Sequence, residues 1–138
     1  MTPPPRARRS LHSIERLLSS SWSLLREAPR ADELGEAVVS FVASGEARAS
    51  FCIEAHPPSG GAAVGRLLPA LRELRRSAGL PVLYASDYIG EALRSALAEE
   101  GISYADSSGW VRVVSDDPLL LLTGQGAPRS PRAGRPRR

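Results

Sequence analysis

The sequence predicts an α/β domain, a small mixed β-sheet flanked by helices, with residues 10–124 as a single folded unit. Three observations lead there. Stretches with an apolar residue at every second position alternate with stretches spaced by three and four, so strands and helices interleave along the chain. Helices that link strands join parallel neighbours, whereas tight turns join antiparallel ones, and a chain with both kinds of connection makes a mixed sheet. With 138 residues there is room for one hydrophobic core and not for two.

Residues 1–9 hold three prolines and three arginines with no apolar period, the composition of a disordered basic N-terminus. Order is expected from Ser10, a residue type suited to an N-cap. Leu11, Ile14, Leu18, Trp22 and Leu25 then recur at three- and four-residue steps, predicting one helix that ends before Pro29. Ser19, Ser20 and Ser21 weaken that helix, so packing against the sheet must hold it. The alternative use of its apolar face is a dimer or partner contact. Residues 36–56 read as a hairpin around Ser44, Gly45 and Glu46. In its second strand Ala49, Phe51, Ile53 and Ala55 alternate with Ser50, Cys52, Glu54 and His56, which sets Glu54 and His56 on the same face.

After a turn through Pro57, Pro58 and Gly60, the residues Val64, Leu67, Leu68, Leu71, Leu74 and Ala78 form a helical stripe that Gly79 terminates. Residues 81–85 make a short buried strand. A helix from Gly90 to Glu100 turns Ile89, Leu93 and Leu97 inward, with Ala92 and Ala96 beside them, and stops at Gly101. Residues 102–105, 111–114 and 119–122 give three more short strands. From Gly124 onward the apolar period is lost, and residues 125–138 read as a disordered Arg/Pro-rich tail.

Every cationic residue is Arg, and the distribution is uneven. Residues 1–9 and 127–138 together carry eight of the eighteen and no acid, which leaves ten Arg against fifteen Asp and Glu between them, a formal charge of −5 for the body. That sign argues against a folded face that grips duplex DNA. It puts the candidate nucleic-acid contacts on the tail, at Arg129, Arg132, Arg135, Arg137 and Arg138, where arginines without acids can hold phosphates non-specifically. Cys52 is the lone cysteine, so no intramolecular disulfide forms, and with His12 and His56 the only histidines a Cys/His zinc site has too few ligands. The longest strongly apolar run, Leu119 to Leu122, is far short of the roughly 20 residues that cross a bilayer. The N-terminal arginines are not followed by the apolar segment of a signal peptide. A cytoplasmic protein with no membrane partner is expected.

Glu54 and His56 are the one arrangement that points to chemistry. A carboxylate beside an imidazole can hold a divalent cation and move a proton near neutral pH. Nucleophilic catalysis has less support: there is no Gly-x-Ser-x-Gly elbow, and Cys52 between Phe51 and Ile53 reads as a small core residue. Gly60 and Gly61 match neither a Walker loop nor a dinucleotide fingerprint. The run Glu54, Ala55, His56 resembles the second motif of the restriction-endonuclease-like nucleases, which is Asp or Glu, any residue, then Lys; His56 stands where that Lys is expected. The resemblance implies Mg²⁺ held by Glu54 and by an earlier acid, for which Asp32, Glu33, Glu36 and Glu46 are available. The plainer reading of the two side chains is a solvated strand face, with no catalytic residue, metal or other cofactor.

A second resemblance covers residues 80–134. The run Pro81 to Ala85, then Leu93, Leu97, Glu100 to Asp106, Ser108, Gly109 and Pro118 resembles the N-terminal domain of bacterial winged-helix transcriptional regulators. Those regulators are similar to the antitoxins of abortive-infection type IV toxin–antitoxin systems. The family pattern closes a helix with Leu, Gly, Ile or Val, Ser or Asn, and Tyr, then makes a turn reading Asp, two residues, Gly, Asn. Here that turn is Asp106 to Gly109, with Trp110 in the Asn position. Asp and Gly supply the hydrogen bond and the positive φ such a turn needs. The resemblance implies a degenerate restriction-endonuclease-like core followed by a DNA-reading winged helix, whereas this chain stops at Arg138.

The function expected from these readings is a non-catalytic regulatory domain of transcription control that works through protein contacts, its basic ends touching nucleic acid weakly. Two alternatives stand beside it: a Mg²⁺-dependent nuclease using Glu54 and His56, and a protein-interaction module, dimeric through the first helix.

Overall fold

A computed structural model describes residues 5–19, 21–27, 37–43, 47–56, 64–116 and 118–128. Within them, seven strands form one mixed sheet whose spatial order follows the chain: β1 (Trp22–Glu27), β2 (Ala37–Ala43), β3 (Arg48–Ala55), β4 (Val82–Ser86), β5 (Ser103–Asp106), β6 (Val111–Asp116) and β7 (Leu119–Gly124). Three helices accompany it, α1 (Pro5–Glu15), α2 (Val64–Ala78) and α3 (Glu91–Glu100). The first three strands are antiparallel, β3, β4 and β5 are parallel through α2 and α3, and β5 to β7 are antiparallel again. The architecture is therefore α/β with a mixed sheet, and the sheet curls into a half-barrel.

The sheet separates two cores. On one face Leu11 and Ile14 of α1 lie fully buried against Val39, Phe41, Phe51 and Leu83, with Phe41 and Phe51 edge to face at 5.5 Å. On the other, Leu71 of α2 and Leu93 and Leu97 of α3 cover Val82, Tyr84 and Ile102. Both faces of β4 and β5 are consequently buried, as parallel strands beneath helices require. Arg72 clasps Glu100 with Nε at 2.8 Å and a second nitrogen at 2.9 Å, tying α2 to α3 and holding the Glu100 carboxyl below its ordinary range. Gly79 and Gly101 end the two helices at φ of 70° and 74°, where a side chain would be strained. None of the described helices is long and apolar enough to cross a membrane.

The N-terminal segment departs from the sequence reading. The period of Leu11, Ile14, Leu18, Trp22 and Leu25 is shared between two elements: α1 closes at Glu15, and Trp22 begins the edge strand β1. The serines between them explain the break, because their hydroxyls compete for the backbone and favour turns. Ser19 and Ser21 share a hydrogen bond at 3.0 Å, and the Ser19 carbonyl accepts the Trp22 N–H at 3.1 Å. Strand alternation then sends Trp22 and Leu24 toward the core while Leu25 is exposed. The start of the helix also moves. Pro5 occupies its first position, where a missing N–H costs nothing, so residues 5–9 are helical. Ser10 is an interior residue whose Oγ donates to the Ser86 carbonyl at 2.9 Å instead of capping. Burial of Leu11 and Ile14, at about 1.5–3 kcal/mol each, fixes α1 to its own sheet. The face assigned above to a dimer or partner is therefore already covered.

At the other end, Gly124 belongs to β7 and the chain is placed through Pro128. Arg129, Arg132, Arg135, Arg137 and Arg138 lie outside the described residues, as do Pro29, the turn at Ser44 to Glu46, and the segment 57–63.

Candidate functional site

The carboxyl ends of β3, β4 and β5 lie side by side, with Ala55 opposite Ala85 and Ser86 opposite Asp106. Open α/β sheets place their ligand sites outside these ends. Here that rim carries Glu54 near the end of β3 with His56 just past it, Asp87 just past β4, and Asp106 at the end of β5 with Ser107 just past it.

Glu54 and His56 are brought together as their alternation requires. His56 Nε2 and Glu54 Oε2 are 3.0 Å apart, and the imidazole stacks on buried Tyr84 with ring centres separated by 5.8 Å. The two side chains retain 25% and 39% of their exposure, enough to meet solvent and a small ligand. The pair orients the imidazole and can pass a proton between its members. It makes a poor Mg²⁺ site as described. Mg²⁺ favours an octahedron of oxygens, whereas this pair offers one carboxylate, already engaged, and one nitrogen. Among the described residues no three His, Cys, Asp or Glu side chains gather closely enough to hold a metal ion. The acids considered for the missing ligand, Asp32, Glu33, Glu36 and Glu46, lie outside the described residues. No step through Mg²⁺ follows from this geometry.

Asp106 is fully buried, and both its oxygens are occupied. Oδ1 accepts from the backbone N–H groups of Ser108, Gly109 and Trp110 at 2.9–3.0 Å and from the Ser108 hydroxyl at 2.8 Å; Oδ2 accepts from Ile89 N–H at 2.9 Å, before α3. Gly109 takes φ of 119°, and a Cβ there would stand 2.9 Å from the Gln125 carbonyl oxygen. The motif turn is a knot of the fold. Its reach extends to the chain's exit: Ser108 Oγ also accepts Ala127 N–H at 3.1 Å, while the Ala127 carbonyl accepts from Trp110 Nε1 at 2.6 Å and from the Tyr88 hydroxyl at 3.2 Å. Gly126 is required there, since a Cβ would fall 2.7 Å from Trp110 N. Trp110 thus uses its indole N–H to pin residue 127. Its ring lies 3.7 Å beneath the Arg94 guanidinium.

The sequence reading missed a basic surface on α1. Arg8, Arg9, His12 and Arg16 are all exposed on the side turned away from Leu11 and Ile14. Arg8, Arg9 and His12 surround, with Ser107, a shallow cavity of about 370 Å³. Arg9 also bonds Asp87 at 2.8 Å, which couples the helix to the strand-end rim. Arg16 continues the row, its N–H bonding the His12 carbonyl at 3.1 Å as in a further helical turn. The four-residue steps of Arg8, His12 and Arg16, offset from those of the buried residues, were the available signal. A composition that makes residues 1–9 look like a tail obscures it.

Against this geometry, no family model, characterised protein or solved structure matches the chain.

Proposed function

We propose that the chain is a non-catalytic regulatory domain, akin to the N-terminal domain of the winged-helix regulators its sequence resembles, that contacts nucleic-acid phosphates through α1. The observation that carries the reading is the exposed row of Arg8, Arg9, His12 and Arg16 on a helix whose opposite face is locked into the core. Cations on a rigid support hold phosphates at fixed spacing, and binding of this kind releases counterions without reading bases. Two acids lie at the row itself, Asp87 paired with Arg9 and exposed Glu15 on α1, so the local excess of positive charge rests on Arg8 and Arg16, while acids beyond about 10 Å are screened at physiological salt.

The test is fluorescence anisotropy of labelled duplex DNA across a salt series in Mg²⁺ buffer, with gel analysis of the same DNA. The full chain should bind weakly at low salt. Replacing Arg8 and Arg16 by Ala should lower the slope of log affinity against log salt by about 2, one per lost phosphate contact. If the slope falls only when Arg135, Arg137 and Arg138 are replaced, contact belongs to the tail. Absence of binding favours a protein-interaction module, and cleaved DNA restores the nuclease reading through Glu54 and His56.

A further inference from the structure

The two edges of the sheet are built differently. On β1 the exposed side carries Ser23 and a single leucine, Leu25, and the sequence of the strand includes a charged pair, Arg26 and Glu27, a composition that discourages pairing with another chain. β7 has none of these guards. It runs Leu119, Leu120, Leu121, Leu122, Thr123, Gly124 without a charge or proline. Leu120 and Leu122 face the α1 core, while Leu119 and Leu121 point the opposite way and are 80% and 64% exposed. An edge strand that has no second neighbouring strand among the described residues, with leucines on both faces, is a template for an added strand.

We infer that β7 is a homodimer interface, pairing antiparallel with β7 of a second copy about a two-fold axis at Leu121. The strand is complementary to itself. In an antiparallel pair, residues directly opposite share a face, so centring the axis on Leu121 sets Leu121 against the partner's Leu121, Leu120 against the partner's Leu122, and Leu119 against the partner's Thr123. Every leucine of β7 finds an apolar or neutral neighbour, and no charge lies in the seam. The flanking strand favours the same register. Asp116 sits beside Leu119 and Arg112 beside Thr123 on β6, so the two outer rows across the seam run from an acid in one copy to a base in the other, while the three inner rows, through residues 120, 121 and 122, hold no charge. A two-fold axis generates this match from one surface patch and closes at two subunits, which separates it from open-ended edge aggregation.

Sedimentation velocity of the full chain at about 100 μM, above the micromolar end of protein affinities, should give the mass of two chains. Leu121→Arg, at a position exposed enough to accept it, should halve that mass with an unchanged circular dichroism spectrum, while Leu25→Arg on β1 should leave it unaltered. A second variant reads the register. Leu121→Cys should form an intermolecular disulfide on mild oxidation, because opposed Cβ atoms lie about 4.5–5.5 Å apart, whereas Leu25→Cys should not; the native Cys52 is buried. A monomeric wild type, a dimer that survives Leu121→Arg, or equal cross-linking at positions 121 and 25 would each overturn the interface.

Discussion

Two acids stand at the ends of neighbouring parts of one sheet, Asp106 at the end of β5 and Glu54 near the end of β3, and they are used in opposite ways. Asp106 is wholly buried and accepts from four backbone N–H groups and a hydroxyl. Glu54 keeps a quarter of its exposure and is engaged by one imidazole. A buried carboxylate is tolerable only when donors replace its water, and donors arranged that closely leave no valence for a ligand. The partly exposed acid still meets solvent. Burial and saturation therefore separate an acid that shapes the chain from one that remains available to solvent, although both were singled out by sequence motifs.

The largest expected effect tests the saturated member. Asp106→Ala strands the N–H groups of Ile89, Ser108, Gly109 and Trp110 in a partly buried turn and should cost at least about 3 kcal/mol, read as a lower urea midpoint. Because Ser108 links Asp106 to Ala127, the same variant should also speed amide exchange at Ala127. A loss below about 1 kcal/mol would mean that Asp106 is not the knot its bonds describe, and the contrast with Glu54 would collapse.

An intermediate effect asks how far the knot reaches. Trp110→Phe removes the Nε1 bond to the Ala127 carbonyl but keeps an aromatic ring beneath Arg94. It should cost about 1 kcal/mol, the worth of one ordinary hydrogen bond, with faster exchange at Ala127 and none of the wider loss seen for Asp106→Ala. Equal losses in the two variants would place the organising role on the indole and not on the carboxylate.

The difference between the two acids also shows what the sequence made legible. Alternation over Ala49 to His56 located Glu54 and His56 on one face because a strand has a strict period of two. The glycines at 79 and 101 marked helix ends because few other residues adopt their φ. The Asp106 turn was readable for the same local reason. What failed was either degenerate or distant. Spacing at Trp22 to Leu25 satisfies both a helix continued from Leu11 and a strand, and the serines that decide between them weigh less than the apolar period they interrupt. The clasp on Ala127 joins Tyr88 and Trp110 across 39 and 17 residues, a relation that no local pattern announces. For Glu54, the face was legible but its surroundings were not, since the acids that could complete a metal site sit in segments whose periodicity fixes no position.

The smallest expected effect is at that open acid. Glu54→Gln keeps an oxygen to accept from His56 and preserves the side-chain volume, so only the charge is removed from a site that water still reaches. Substitutions of this kind fall within about 0.5 kcal/mol, and the urea midpoint should be nearly that of the wild type. A fall above about 2 kcal/mol would show that the charged pair braces β3 against Tyr84, which would make Glu54 a second structural acid. Near-neutrality would leave Glu54 and His56 as polar groups the fold does not need, held in place by a sheet whose rigidity comes from elsewhere, notably from Asp106.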